Sequence, residues 1–271
     1  MKRTINNKNA ILGILRLDYN YPPAPGDIDH PDTYDYEVIY RVIPRLTFEM
    51  CQSGKITEEV KSNCIEAVKF LNEKNVSGIT GDCGFMINIQ NLILQHTDKP
   101  VFLSSLIQLP TIVNTFNKDQ IIAIFTANSL TLEPIRNKLK EMCGLDKHQH
   151  RFEIIGCQDV KGFDAVAKGE KVDVKKVTPG IVELAKKVLK NNPKIKCILL
   201  ECTELPPYAD SLRYELNIPI YDAITNCNSF MSGFLDNKNF GYNWNDTWDG
   251  KQKEYNFGDN LDKEDKKKLI N

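Results

Sequence analysis

Two cysteines stand where a parallel α/β sheet would place reactive groups. Cys83 follows the apolar run 76–80 and Cys202 follows 195–200, each just before a segment of helical character. In such sheets ligands bind beyond the carboxyl ends of the strands. A helix N-terminus gathers free N–H groups and partial positive charge, which favours thiolate over thiol. The expectation is therefore that both thiols fall from the usual pKa of about 8.5 toward neutrality. A thiol and a thiolate on either side of a substrate are an acid and a base ready for proton transfer. Both have polar company: Asp82 beside Cys83, and Thr203 and Glu204 after Cys202.

The other six cysteines are expected to pack. Cys51, Cys64 and Cys227 fall in helical patterns, Cys143 near a helix end, Cys197 inside a strand and Cys157 after one. Cys143, His148, His150 and Cys157 could be read as metal ligands, but their spacing is loose compared with the tight pairs of zinc sites. They are expected to form a polar loop, with no metal bound.

The elements that must position the cysteines alternate along the chain. Strands are expected at 10–17, 76–80, 101–103, 121–125, 152–155, 195–200 and 218–221, from short apolar runs. Helices are expected from Thr57 (a cap followed by Glu58 and Glu59), over 86–96, over 129–143 up to Gly144, and from Thr178-Pro179 to Asn191-Asn192-Pro193. The Pro-rich stretch 21–27 is a loop. Cys83 precedes Pro100 by the same interval of 17 residues (100 − 83) that separates Cys202 from Pro219 (219 − 202). The order strand, cysteine, helix, Pro-led strand occurs in both halves. The fold class expected is α/β, with two similar lobes, each a parallel sheet flanked by helices. Residues 1–117 with 223–271 are assigned to the first lobe and 118–222 to the second.

Composition narrows the classes of function. The 271 residues are 41% apolar and 26% charged, with a net charge of -1, which excludes disordered and collagen-like chains and gives no basic excess for nucleic acid. The first 15 residues lack the apolar core of a signal peptide, and no run approaches the roughly 20 apolar residues of a spanning helix. A cytoplasmic location with reduced cysteines is expected, without membrane partners. The aromatic cluster 240–248 is expected to pack on the body, with a homodimer or lid contact as its alternative role.

At Gly78-Ile-Thr-Gly-Asp-Cys-Gly-Phe85 and Leu199-Leu-Glu-Cys-Thr-Glu-Leu-Pro206, the sequence resembles the cofactor-independent aspartate/glutamate racemase superfamily, over roughly residues 10–235 in element order. Cys202-Thr203-Glu204 looks like that family's Gly-Cys-Thr-Glu signature. The resemblance implies an active site in the cleft between the two lobes with the last helix returning to the first, two cysteines, Cys83 and Cys202, on opposite faces of a substrate carbon, no cofactor, and a small carboxylate substrate, with aspartate or glutamate expected. It further implies a carboxylate clamp at Thr126-Ala127-Asn128-Ser129. By position, the N–H groups after each cysteine (Gly84 in the first lobe), Ser104, Ser105 and Arg16 join Asp82, Thr203 and Glu204 as candidate substrate contacts. Two departures stand out. Cys83 is followed by Gly84 and Phe85 rather than Asn-Thr, and Glu201 replaces the usual glycine before the second cysteine; both bear on the substrate rather than the fold. Superfamily relatives include hydantoin racemases, maleate isomerases and arylmalonate decarboxylases. The decarboxylases generally keep only the second cysteine, so two cysteines favour racemisation or isomerisation. An isomerase or decarboxylase of the superfamily, or a non-catalytic binding protein on the same fold, is the alternative.

Overall fold

The structure is a computed structural model and describes residues 10–146 and 149–235. Three strands, β1 (Ile11–Arg16), β2 (Glu37–Val42) and β3 (Gly78–Gly81), form one sheet in the order β2-β1-β3. Four more, β4 (Ile121–Thr126), β5 (Phe152–Gly156), β6 (Ile195–Leu200) and β7 (Ile220–Tyr221), form a second in the order β5-β4-β6-β7. Every pairing is parallel. The helices between them are α1 (Phe48–Ser53), α2 (Glu58–Glu73), α3 (Gln90–Leu94), α4 (Leu109–Thr115), α5 (Ser129–Leu132), α6 (Arg136–Met142), α7 (Val174–Asn191), α8 (Ala209–Leu216) and α9 (Ala223–Met231).

The two sheets repeat one design, as the duplicated spacing implies. In the first, Ile79 pairs with Val101 beyond β3; in the second, Ile198 of β6 pairs with Ile220 of β7. Both pairings span 22 residues (101 − 79 and 220 − 198). Parallel strands covered on both faces read as continuous apolar runs, and residues 122–126 of β4 and 197–200 of β6 are buried throughout. One apolar core runs from α2 (Val60, Cys64, Val68, Leu71) through β1 and β3 to Ile122 and Leu199 of the second sheet. A second lies under α7 and α8. Each fully buried Leu or Ile contributes about 1.5–3 kcal/mol. α9 packs with Leu12, Ile14 and Phe102 of the first sheet.

Local chemistry explains where elements depart from expectation. β2 is not among the expected strands, although Val38, Ile39 and Tyr40 carry strand propensity; its residues are half-buried to exposed on a sheet edge, so no buried apolar run marks it. The segment 101–103 makes only the single bridge through Val101. The helix expected over 86–96 divides into a 3-10 turn (Gly84–Asn88) and α3. That over 129–143 is interrupted at Glu133–Ile135, where Pro134 lies. α7 begins a turn before Thr178: Asp173 is its cap, accepting from the Lys176 N–H, while Thr178 Oγ1 donates to the Val174 carbonyl at 2.6 Å and Pro179 lies inside the helix. Proline there removes one helical hydrogen bond, which the buried face of Val177, Ile181, Val182 and Ala185 offsets.

Among the described residues, no helix is long and apolar enough to cross a membrane, and no group of three metal-capable side chains is gathered. His148, the aromatic cluster 240–248 and the charged tail 259–268 lie outside the described residues.

Candidate active site

Each cysteine is held by the same construction. Beyond β3, the Asp82 N–H donates to the Leu15 carbonyl of β1; beyond β6, the Glu201 N–H donates to the Phe125 carbonyl of β4. The next residue is the cysteine. Its own carbonyl then accepts from the N–H three residues on, Met86 for Cys83 and Leu205 for Cys202. Both chains thus turn away from the sheet at the same step, leaving two sulfurs at the carboxyl ends of the sheets. Two side chains join the lobes here. Thr203 Oγ1 donates to the Asp82 carbonyl, and Ser105 Oγ donates to the Leu200 carbonyl at 2.9 Å.

A cavity of about 410 Å³ opens at this seam and both cysteines line it. Five carboxyl side chains share the lining, Glu49, Asp82, Asp164, Glu201 and Glu204, with three rings, Phe48, Phe85 and Phe163. Its described lining holds no lysine, arginine or histidine. Of the expected contacts, Asp82, Gly84, Asn128, Thr203 and Glu204 line the cavity.

Arg16, Ser104, Ser105 and Thr126 are not part of the lining, and each is engaged elsewhere. Arg16 donates from Nε to Asp29 at 2.9 Å and lies 3.7 Å from Asp82, so it neutralises buried carboxylates at and beneath the site. Ser104 caps the turn after it, accepting from the Leu106 N–H. Ser105 is the seam contact just described. Thr126 Oγ1 donates to Glu201 Oε2 at 2.7 Å. The expected clamp is therefore reduced to Asn128, whose Oδ1 accepts from the Leu130 N–H and leaves its NH₂ to the cavity. Glu201, Phe85 and the residues from α1 and the loop after β5 are not among the expected contacts. Glu201 carries a signal, since it directly precedes Cys202; the others converge only in three dimensions.

The electrostatics reverse one expectation. Burial pushes both Cys83 and Cys202 well above the usual thiol range, and nearby carboxyls push further: Glu201 and Asp82 on Cys83, Glu204 and Glu201 on Cys202. The Phe85 N–H opposes this at Cys83 without closing a capping hydrogen bond, as the Glu204 N–H does at Cys202. Cys83 leads into a short 3-10 turn, and the 3-10 turn after Cys202 begins only at Pro206, so little helix dipole acts on either sulfur. Cys202 Sγ faces Glu204 Oε2 at 3.8 Å. Burial also raises Glu204 to about 8, Glu201 to about 7 and, beneath the site, Asp27 to about 7.

Raised carboxyls bind protons more tightly in the folded chain than in the unfolded one, so their contribution to stability is present below the unfolded pKa and lost as pH rises through the folded value. The ligand-free protein is expected to lose thermal stability between pH 5 and pH 8. Calorimetric melting at four pH values checks this; a Tm that climbs over that window contradicts the buried-carboxyl picture. Surface carboxyls held low by partners, such as Glu133 beside Arg136, act only at lower pH and with the opposite sign.

No family model matches the chain. It is 52% identical over 265 residues to dimethylsulfoniopropionate lyase 7 of Emiliania huxleyi (strain CCMP1516), covering 96% of this chain and 78% of that protein. It is 48% identical over 267 residues to the dimethylsulfoniopropionate lyase of Durusdinium sp. clade D, covering 98% of this chain and 88% of that one. The chain belongs to the dimethylsulfoniopropionate lyase family. Unliganded arylmalonate decarboxylase shares the fold, with a TM-score of 0.55 at 14% identity over 85% of this chain and 96% of its own. Membership in the lyase family overturns the expected activity. The likeness to arylmalonate decarboxylase shows the fold alone, and the relatives at about half identity are named lyases, not isomerases of aspartate or glutamate and not enzymes of amino-acid racemisation.

Proposed function

We propose that this chain cleaves dimethylsulfoniopropionate by β-elimination. The observation that carries the reading is the cavity lining: five carboxyls and three phenyl rings without a basic side chain, beside two sulfurs. A sulfonium is a cation clothed in methyl groups. Such ions favour aromatic faces and carboxylates, whereas a dianionic or strongly acidic substrate would be repelled.

The chemistry needs one base. Cys202 is assigned that role because Glu204 lies beside it and, once an entering cation holds its carboxyl ionised, can take the thiol's proton. The thiol passes its proton to Glu204, and the thiolate then removes a proton from the carbon next to the substrate carboxylate. The C–H electrons form the carbon–carbon double bond as the adjacent C–S bond breaks. Acrylate and neutral dimethyl sulfide leave, and the reaction balances without a cofactor. The entering sulfonium itself favours thiolate, since an opposite charge nearby lowers a thiol's pKa. The NH₂ of Asn128, and that of Gln158, whose Oε1 accepts from the Ser129 N–H, suit the substrate carboxylate. The free thiols fit a reducing cytosol.

Purified protein given dimethylsulfoniopropionate is expected to release dimethyl sulfide and acrylate in equal amounts, measured by headspace gas chromatography and NMR. In D₂O it is expected to leave the α-hydrogen of aspartate and glutamate unexchanged. Absence of dimethyl sulfide would refute the reading.

A further inference from the structure

Glu201 is buried at 1% exposure in the lining between the two cysteines. Its carboxyl is held asymmetrically. Oε2 accepts from Thr126 Oγ1 at 2.7 Å, while Oε1 is buried without a hydrogen-bond partner. A buried carboxylate oxygen left unpaired costs free energy, so an orphan oxygen at a cavity wall points to a ligand that satisfies it. Space for this oxygen is made by the opposite lobe. A Cβ on Gly84 would stand 1.9 Å from Oε1. The two departures from the racemase motifs, glycine after the first cysteine and glutamate before the second, therefore meet at one point: the glutamate carboxyl occupies the space that a side chain at 84 would fill.

We propose that Glu201 is the specificity residue for a cationic head group, its Oε1 serving as counter-ion to an onium centre carrying small alkyl groups. This deepens the lyase reading and rests on it for the identity of the onium. Thr126 is a positioning residue: it fixes Oε2 and so aims Oε1, without lining the cavity itself. The anionic end of the ligand is left to the amides of Asn128 and Gln158, since the described lining offers it no basic side chain.

The test uses two non-cleaved probes of nearly equal shape, measured by titration calorimetry on the full chain. One is 3-(trimethylammonio)propionate, a zwitterion with a cationic head; the other is 4,4-dimethylpentanoate, whose head is the uncharged carbon isostere. Wild-type protein is expected to bind the cation more tightly. Glu201→Gln keeps the side chain's size and a partner for Thr126 but removes the charge. It is expected to weaken the cationic probe by about 10- to 100-fold, the range of a charge-assisted contact, and to leave the neutral probe within about threefold. Thr126→Val, at a residue behind the cavity lining, is expected to weaken the cationic probe several-fold, with Thr126→Ser restoring it. Should both probes weaken together, Glu201 is merely structural; should neither change, the carboxyl acts in its neutral form and the proposal fails. Failure of wild-type protein to bind the cationic probe overturns it as well. Turnover is read separately. If Glu201→Gln selectively loses the cation but wild-type protein releases no dimethyl sulfide, the onium site stands and the lyase reading falls. Where dimethyl sulfide is released but probe binding ignores Glu201, only the present proposal is lost.

Discussion

Cys202→Ser is expected to lower turnover of dimethylsulfoniopropionate at least about 1000-fold, within the range a single general base contributes. Serine is nearly isosteric but far less acidic, and Glu204 at 3.8 Å is no strong enough base to compensate. The melting temperature is expected to stay close to wild type, since among the described residues the sulfur's hydrogen-bond partners are the Glu204 carboxyl and N–H, which serine can keep. Cys83→Ser is expected to lose distinctly less. Dimethyl sulfide departs neutral and needs no proton, so an elimination has no use for a second proton donor on the opposite face, in contrast to inversion at a carbon. Steady-state kinetics on the two variants decide the matter. Equal losses would mean that both sulfurs exchange protons with the substrate, and the one-base assignment would be wrong.

The contrast with racemisation shows where the sequence could be read and where it could not. The cysteines, their strand ends and the repeated 17-residue interval follow from local patterns, and the structure realises them as two sheets with matching bridges at Val101 and Ile220. Chemistry was harder to read because it depends on convergence. Phe48 and Glu49 arrive from α1, Phe163 and Asp164 from the loop after β5, and nothing in their spacing connects them to Cys83 or Cys202. Thr126, Ser104 and Ser105 look like substrate donors by position at strand ends, yet each hydroxyl or its lone pairs is committed within the protein. Arg16 looks like a substrate contact by its place at the end of the first strand and is committed to Asp29 instead. Only Glu201 announces itself locally, as an acid in a glycine's place. Its meaning requires Gly84, more than a hundred residues earlier, to be seen against it.

Gly84→Ala is therefore expected to damage both stability and turnover, although it adds one methyl group. The added Cβ would lie 1.9 Å from Glu201 Oε1, 2.5 Å from its Cδ and 2.5 Å from its backbone carbonyl oxygen. Contacts that short do not persist, and the glutamate can move only by breaking its hydrogen bond to Thr126 and entering the cavity it lines. Either the carboxyl leaves its place or the two lobes separate at the Thr203–Asp82 contact. Overpacking of this kind costs about 1–3 kcal/mol, a fall in Tm of several degrees for a chain of this size. A displacement near 1 Å at reacting groups costs about 100-fold in rate, so turnover is expected to fall by at least that factor. The double variant Gly84→Ala/Glu201→Gly separates the causes. Removing the glutamate side chain relieves two of the three contacts but leaves the carbonyl at 2.5 Å, so Tm should recover in part while affinity for the cationic probe stays lost. The two substitutions are in direct contact and are expected to couple rather than add. Strict additivity in Tm would show that Gly84 is required by something other than Glu201, and the pairing of the two motifs would lose its physical basis.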